Sequence, residues 1–244
     1  MKKRLMLALL LLTFSCTLTF AQAVGTEAQQ EAIRRGNERY ARGEYEAAIR
    51  EYAQVRQGKD AAYAQALYNT GVCYFELNRT ADAINMYRRA IEARGGRYPK
   101  ALYALGVALE ISSRLDDAKE AYKQVIATSD GKYTEAKLAV AHYRLGLLKG
   151  REGDYEGAAA LFREALARSK SGFPAAHNNL GVMLALAGRI EEAAQEFEIA
   201  LGQSTADFGE AAYNLKLCRS RLTSETQATF ASLKVADANF VLTP

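Results

Sequence analysis

The sequence of 244 residues contains no tryptophan, three prolines, three cysteines and two histidines. Because proline interrupts helices, its scarcity leaves long stretches of the chain free to be helical. Alanine, leucine, glutamate and arginine, which are strong helix formers, are plentiful, and this composition favours an all-α protein. With 49% hydrophobic and 25% charged residues, the chain has the composition of an ordinary folded protein, unlike a disordered or collagen-like one.

Recognisable catalytic and metal-binding motifs are also missing. The sequence has no His-Glu-x-x-His pair, no phosphate-binding glycine loop and no Gly-x-Ser-x-Gly turn. Two histidines without a neighbouring cysteine or carboxylate motif fall short of a zinc site. We therefore predict a protein that is not an enzyme, with no catalytic residue, no cofactor and no metal. The competing hypothesis is an enzyme whose site follows no known motif.

The first 23 residues have the pattern of a secretory signal peptide. Residues 2–4 are basic, residues 5–14 form an apolar run broken only by Thr13, and Ala21 and Ala23 supply the small residues that a signal peptidase reads. The apolar run is too short to span a bilayer comfortably. We predict that residues 1–23 are removed by cleavage after Ala23 and that the chain is exported, with a periplasmic location.

Two alternatives would keep the chain at a membrane. Cys16 could be lipidated, although Thr13 and Phe14 fit a lipoprotein site poorly, or the N-terminal helix could be retained; secretion is a further possible destination. Removal of three basic residues with the signal peptide lowers the formal net charge from +4 to +1. Binding to nucleic acid requires clustered lysine and arginine in excess, so it is not predicted.

The rest of the chain repeats itself with a period near 35 residues, which is typical of a helical-repeat protein. Glycines recur, and each is followed by an alanine, then an aromatic residue, then a small or branched apolar residue at constant spacing. The glycines are Gly36, Gly71, Gly106, Gly146 and Gly181; the alanines are Ala48, Ala83, Ala118, Ala158 and Ala193; the aromatic residues are Tyr52, Tyr87, Tyr122, Phe162 and Phe197; the last are Val55, Ala90, Val125, Ala165 and Ala200.

This spacing predicts two antiparallel helices in each repeat, joined by a tight turn. The glycine and the alanine stand where the two helices touch, since only small side chains allow a close approach. The aromatic residue fills the gap between the second helix and its neighbours. The predicted turns contain residues that suit a left-handed backbone, namely Gly43, Asn78, Ser113, Gly153 and Gly188.

At these positions the chain resembles the tetratricopeptide repeat family, as an exported bacterial member. The family pattern is Trp-x2-Leu-Gly-x2-Tyr, then Ala-x3-Phe, then Pro. The Leu-Gly pair is matched at residues 105–106, 145–146 and 180–181, and Tyr74 matches the tyrosine. The closing proline is absent, and the tryptophan is replaced by Ala32, Leu67, Leu102, His142 and His177.

The resemblance covers about residues 29–222 and implies an all-α, right-handed solenoid of five helix pairs and a C-terminal capping helix. The repeats are expected near 29–63, 64–98, 99–138, 139–173 and 174–207, and the capping helix at 208–222. Residues 24–28 are a short N-terminal segment, and residues 223–244 are a C-terminal tail.

Cys73 and Cys218 stand in one slot of the repeat, which small or apolar residues hold elsewhere, so we predict that both are buried. They are four repeats apart, and repeats contact only their neighbours, so no disulfide is expected between them. His142 and His177 share a slot that leucine holds in two other repeats. We therefore predict that both histidines have a packing role and bind no metal.

The resemblance also implies that the first helices line a concave groove that holds a peptide. Three slots of each first helix face this groove, and Glu110 is the only titratable carboxylate in them, which argues against an enzyme site. The partner-groove candidates are Tyr68, Val72, Phe75, Tyr103, Val107, Tyr143, Leu147, Asn178, Val182 and Tyr213. We predict an interaction scaffold of the cell envelope whose partner is a protein or peptide anchored by apolar or aromatic side chains.

Three hypotheses remain open for the row of tyrosines. It binds an external segment, or it only packs the helices together, or it receives the chain's own tail. The tail is rich in apolar residues, namely Phe230, Leu233, Val235, Phe240, Val241 and Leu242. A clamp for a C-terminal carboxylate is matched at Asn37, Asn69 and Lys100 but not at Ile33 or Ala104, so this ligand is not predicted.

Overall fold

A computed structural model describes residues 26–128, 135–169, 172–204, 207–223 and 233–236. Within these ranges the chain forms eleven helices and no β-strand. The all-α, helical-repeat fold class predicted from the sequence is therefore confirmed. The predicted signal peptide, with Cys16, and most of the predicted tail lie outside the described residues. None of the described helices is both long and apolar enough to span a bilayer.

The helices follow one another as antiparallel pairs, with a single helix after the last pair. The first helix, α1, covers residues 26–41. The others are α2 (Tyr45–Tyr52), α3 (Ala61–Glu76), α4 (Thr80–Ala93), α5 (Pro99–Ile111), α6 (Leu115–Thr128), α7 (Glu135–Arg151), α8 (Tyr155–Arg168), α9 (Pro174–Leu186), α10 (Ile190–Gln203) and α11 (Gly209–Thr223). The odd-numbered helices from α1 to α9 are the first helices of the predicted repeats.

The turn inside each pair has a left-handed residue at the place that the sequence predicted. The backbone φ angle is positive at Gly43, Asn78, Ser113, Gly153 and Gly188, with values from 58° to 86°. Glycine adopts this conformation without cost, and asparagine tolerates it better than most other residues do. The five turns therefore have one common conformation, which returns the chain antiparallel to itself after each first helix.

The repeated glycines lie against the aromatic rings of the second helices. At Gly71, Gly106, Gly146 and Gly181, an added Cβ atom would lie 2.5–3.0 Å from the nearest atom of the ring 16 residues later. All five aromatic rings and all five alanines of the pattern are buried. The small residues are thus required because a large ring occupies the space between the helices of each pair.

The chain divides after Ala101 into two compact units. In the first unit, Ala32, Ile33, Tyr52 and Cys73 belong to a core between α1, α2 and α3. In the second unit, a larger core joins α7, α8, α9, α10 and α11. Its buried members include Tyr143, Phe162, Leu180, Phe197, Leu215 and Cys218.

Both described cysteines are free and buried. Burial raises the pKa of the Cys73 thiol to about 12 and that of the Cys218 thiol to about 11. The reactive form of cysteine is the thiolate, so both side chains should be inert in the folded protein.

We expect a thiol reagent to modify Cys73 and Cys218 at least about 100-fold more slowly in the native chain than in the unfolded chain. The measurement is the rate of disulfide exchange with a chromogenic reagent at neutral pH. A Cys16→Ser variant gives a clean baseline, because only the two buried thiols remain. Fast modification of either thiol under native conditions would contradict the packing of α3 or α11.

His142 is buried in α7, and neither of its ring nitrogens has a hydrogen-bond partner among the described residues. Burial lowers the pKa of this imidazole, and the charge of Arg168 lowers it further. Below the ordinary histidine pKa of about 6.5, the unfolded chain therefore binds a proton that the folded chain resists. The titration of His142 therefore lowers the free energy of unfolding as the pH falls below about 6.5, and it has no effect well above that pH.

Replacing His142 with leucine, the residue at this slot in two other repeats, should raise the free energy of unfolding by about 1 kcal/mol at pH 7, because an unsatisfied buried polar group is removed. The gain should grow as the pH falls towards 5. Urea denaturation at several pH values tests this. If the parent and the variant lose equal stability between pH 7 and pH 5, His142 does not titrate as described.

Candidate peptide-binding site

Residues 233–236, which we call the docked segment, lie against the face formed by α7, α9 and α11. Docking of the tail was one of the three hypotheses for the tyrosine row, and it is what the structure shows for these four residues. The contacts are made chiefly by the side-chain amides of Asn178 and Asn179 on α9 and of Asn214 on α11. These amides bind the main chain of the docked segment, so they recognise its conformation more than its side chains.

Asn214 binds both main-chain groups of Lys234. The Lys234 N–H donates to Asn214 Oδ1 at 2.9 Å, and Asn214 Nδ2 donates to the Lys234 carbonyl oxygen at 2.8 Å. Asn178 Nδ2 donates to the same carbonyl oxygen at 3.0 Å. A paired donor and acceptor of this kind imitate the contact that a neighbouring β-strand would make.

Asn179 on α9 binds Ala236 in the same way, one repeat earlier in the chain. The Ala236 N–H donates to Asn179 Oδ1 at 2.7 Å, and Asn179 Nδ2 donates to the Ala236 carbonyl oxygen at 2.8 Å. The buried Tyr143 hydroxyl on α7 donates to that carbonyl oxygen at 2.7 Å. Because Lys234 meets α11 and the alternate residue Ala236 meets α9 and α7, the site is suited to an extended peptide.

The asparagines also bind one another, and this fixes their orientation. Asn214 Nδ2 donates to Asn178 Oδ1, and Asn178 Nδ2 donates to Asn179 Oδ1, each at 3.0 Å. Asn179 Nδ2 donates in addition to the Tyr143 hydroxyl at 2.9 Å. All six amide N–H bonds of the three side chains therefore have an acceptor. Since each asparagine is fully buried, loss of the peptide partner would leave costly unsatisfied groups.

The side chains of the docked segment make fewer contacts than its main chain. Leu233 packs against the apolar core of the second unit, and Ala236 is buried with 6% of its surface exposed. The Lys234 ammonium lies 4.8 Å from the centroid of the Tyr213 ring, within the range of a cation–π interaction. Val235 remains 49% exposed.

An open cavity of about 460 Å³ lies beside the docked segment. Its wall is mixed, with apolar side chains from α7 and α9 and a charged pair in which Arg144 Nη1 is 3.4 Å from Glu110 Oε2. The lining residues are Glu110, Arg144, Leu147, Gly150, Arg151, Tyr155, Val182, Met183, Leu186, Leu233, Val235 and Ala236.

Among the ten partner-groove candidates, five lie at or near the docked segment. Tyr143 and Asn178 bind its main chain, Tyr213 lies under Lys234, and Leu147 and Val182 line the adjoining cavity. The structure does not test whether an external partner contacts any of the ten. Their role in partner binding stays a prediction.

The remaining tyrosines of the row are packed between helices of their own unit. Tyr68 is 1% exposed, and its ring centroid is 5.8 Å from those of Tyr87 and Tyr98. Tyr103 is also buried, with its ring 5.8 Å from that of Tyr122. Val72 is buried as well, and Phe75 and Val107 are half-buried. These tyrosines offer little surface to a partner, and their contacts resemble those of core residues.

The polar slots that partly match a carboxylate clamp make contacts within the first unit. Asn69 Nδ2 donates to Asn37 Oδ1 at 3.0 Å, and the Tyr52 hydroxyl donates to the same oxygen at 2.8 Å. The Lys100 ammonium lies 4.6 Å from the centroid of the Tyr68 ring. The two asparagines are thus engaged with their own unit.

Sequence reasoning identified Asn178 but missed Asn179 and Asn214, which carry the two paired contacts. Both stand two residues before the position of the repeated glycine, and Asn69 occupies the same slot in the second repeat. In the sequence, this position two residues before the glycine matched the carboxylate clamp only at Asn69, and it was not among the three slots predicted to face the groove. As a fourth row, this slot shows asparagine on both α9 and α11, the last two odd-numbered helices.

Within the described ranges, no group of three or more histidine, cysteine, aspartate or glutamate side chains is placed to hold a metal ion. His177, on α9, binds Glu196 on α10 through Nδ1 at 2.7 Å. The groups that bind the main chain of the docked segment are three side-chain amides and one tyrosine hydroxyl. Chemically the site can bind and orient an extended main chain.

The fold and the docked segment define a helical-repeat protein with a face that holds an extended peptide. The sequence matches the family model described as tetratricopeptide repeat at residues 33–96, 74–133 and 143–208. These matches cover more than half of the chain. The chain belongs to the tetratricopeptide repeat family. No curated protein matches the sequence significantly.

Solved structures with the same fold include three that cover most of this chain. A crystal structure of MamA is 24% identical, covers 73% of this chain and 92% of its own, and has a TM-score of 0.61. YrrB, described as a tetratricopeptide repeat protein with an unusual peptide-binding site, is 20% identical over 79% and 97%, with a TM-score of 0.60. PilF of Pseudomonas aeruginosa is 19% identical over 82% and 84%, with a TM-score of 0.63. At these identities the likeness establishes the fold alone.

Proposed function

We propose that the chain is a non-enzymatic protein-interaction scaffold, which binds an extended segment of a partner protein on the face formed by α7, α9 and α11. The observation that carries this proposal is the pair of two-way contacts from Asn214 to Lys234 and from Asn179 to Ala236. The chain's own segment occupies the place that the partner segment would take. Peptide binding by YrrB, which has the same fold, is compatible with this role.

Main-chain recognition makes the site suitable for more than one sequence. Each two-way contact satisfies a peptide N–H and a peptide carbonyl, which every residue except proline provides. The three asparagines are held in place by one another before any ligand arrives, so little entropy is lost in ordering them. A partner segment must be extended at two alternate residues and must have no proline there.

The test must separate the partner from the chain's own segment, because both compete for one site. In the full chain, Lys234→Pro together with Ala236→Pro removes the two donated N–H groups and should release the docked segment. We expect this variant to bind a free peptide with the sequence of residues 231–238, measured by fluorescence anisotropy. The same peptide carrying both prolines should not bind.

Adding Asn179→Ala to the double-proline chain should weaken peptide binding by at least about tenfold, because two hydrogen bonds of about 1 kcal/mol each are lost. Asn85→Ala on α4, where the asparagine is exposed, is the matched control and should bind as the parent does. Circular dichroism confirms that each variant keeps its helices. Equal affinities in the Asn179 and Asn85 variants would rule out the proposed site.

We further propose that the scaffold acts in the cell envelope of a bacterium, as an exported and periplasmic protein. The support is the pattern of residues 1–23, with its basic head, apolar run and small residues at 21 and 23. The alternative is a membrane-tethered assembly factor lipidated at Cys16. The mass of the mature chain decides: a chain beginning at Val24 supports export without a tether, and a lipid-modified chain beginning at Cys16 supports the alternative.

A further inference from the structure

The docked segment fills only part of the site in which it lies. Its main-chain groups at Lys234 and Ala236 are bound on the side of the asparagines. The cavity of about 460 Å³ runs beside the segment, and Val235 borders it while remaining 49% exposed. A valine side chain is small beside a space of this volume.

The wall opposite Val235 is suited to an apolar side chain. Leu147 on α7 and Val182, Met183 and Leu186 on α9 all line the cavity. Val182 and Met183 are buried, and Leu147 and Leu186 pack against the core of the second unit. These wall residues are therefore held in place by the core. A large side chain that enters the cavity would gain apolar contact with them, and no entropy would be lost in ordering the wall.

Three charged residues line the cavity, and two of them are paired with each other. Arg144 and Glu110 form an ion pair at 3.4 Å, so this pair presents no uncompensated charge to the cavity, and the third residue, Arg151, is exposed to solvent. The neutral pair and the apolar wall beside it favour an apolar group over a charged one, because a charged group that enters between them would lose its hydration while Arg144 and Glu110 remain paired with each other.

From this geometry we infer that the partner segment has a large apolar residue, aromatic or leucine-like, at the place of Val235. Its flanking main chain would be held by Asn214 and Asn179 as the docked segment is. This inference rests on the proposed function and names the class of partner for the same site. The chain's own segment is the weaker occupant, which such a partner displaces.

The experiment compares four peptides of residues 231–238 on the full chain that carries Lys234→Pro and Ala236→Pro. The peptides have Ala, Val, Leu or Phe at position 235. The expected order of affinity is Phe and Leu above Val, and Val above Ala. Phe should bind about tenfold more tightly than Val, which corresponds to about 1.4 kcal/mol.

A variant of the protein tests whether the Phe peptide binds more tightly because it fills the cavity or because it is more hydrophobic and binds nonspecifically. Leu186→Phe narrows the cavity from the side of α9, so it should abolish the advantage of the Phe peptide over the Val peptide. A second readout uses the full chain without the prolines. There Val235→Phe should slow amide hydrogen exchange at residues 234 and 236 by about tenfold relative to the parent.

The outcomes distinguish the two proposals. If the Val peptide binds and the four affinities are equal, the inference about the partner residue is wrong and the proposed function stands. If the Leu186→Phe chain prefers the Phe peptide to the Val peptide as strongly as the chain with Leu186 does, the cavity does not recognise the peptide's phenylalanine. The inference is then also overturned. If none of the four peptides binds to the folded double-proline chain, the proposed function itself fails.

Discussion

Replacing Tyr68 with alanine is expected to lower the free energy of unfolding by about 3–5 kcal/mol. The side chain is buried, and its ring centroid is 5.8 Å from those of Tyr87 and of Tyr98. Removing the ring leaves a cavity in the core and removes its contacts with these two aromatic rings. Urea or thermal denaturation followed by circular dichroism measures the loss.

Tyr213 provides the matched control, because it stands at the same slot of the repeat and is 40% exposed. Tyr213→Ala should cost less than about 1 kcal/mol, as substitutions at exposed sites usually do. Similar losses of unfolding free energy in the two variants would show that burial does not determine how much each tyrosine contributes to stability. An unchanged stability of Tyr68→Ala would show that Tyr68 does not belong to the core.

Replacing Ala158 with leucine is expected to cost about 1–3 kcal/mol by overpacking the pair α7 and α8. Ala158 is fully buried, and a Cβ atom added at Gly150 on α7 would lie 3.8 Å from the Ala158 Cβ atom. Ala158 belongs to the buried core of the second unit, so a leucine side chain there would have to displace neighbours that are already packed. The fall in unfolding free energy is measured by denaturant titration.

Ala160 is on the same helix α8 and is exposed, which makes Ala160→Leu the control for helix propensity and added apolar surface. We expect it to change stability by less than about 0.5 kcal/mol. A leucine at 158 that is tolerated as well as one at 160 would mean that the repeat alignment assigns the wrong residue to the helix contact.

The docked segment gives the site a property that a simple apolar groove lacks. Asn178, Asn179 and Asn214 are fully buried, and their amides are satisfied only when an extended main chain is present. The site is therefore costly to leave without a ligand. Occupation by the chain's own segment satisfies these groups.

The repeat made the local structure predictable. The glycine, the alanine and the aromatic residue recur at fixed spacing because each repeat must solve the same packing problem with its immediate neighbours. The positive φ angles at Asn78 and Ser113 followed from the same alignment, although neither residue is glycine. Burial of Cys73 and Cys218 was predictable because their slot holds small or apolar residues in the other repeats.

The tyrosine row shows which properties of a residue the repeat alignment predicts and which it does not. Tyr68, Tyr103, Tyr143 and Tyr213 share one slot, and the sequence suggested that they share one role. In the structure, Tyr68 and Tyr103 pack against rings of their own unit, Tyr143 donates to the docked segment, and Tyr213 lies under Lys234. The position in the repeat determines where the Cα atom of a residue lies on its helix. The residues packed around that position determine what its side chain contacts.

The sequence by itself determined the helix pairs, the turns and the family, because these depend on contacts between residues that are close in the chain and repeat regularly. Only the tertiary structure decided that Ala236 meets Tyr143 and Asn179, which are far from it in sequence. The docked segment lies outside the repeat, so no periodicity connects it to a particular helix. Its place depends on three asparagines that converge from two helices, and such convergence exists only once the helices have packed.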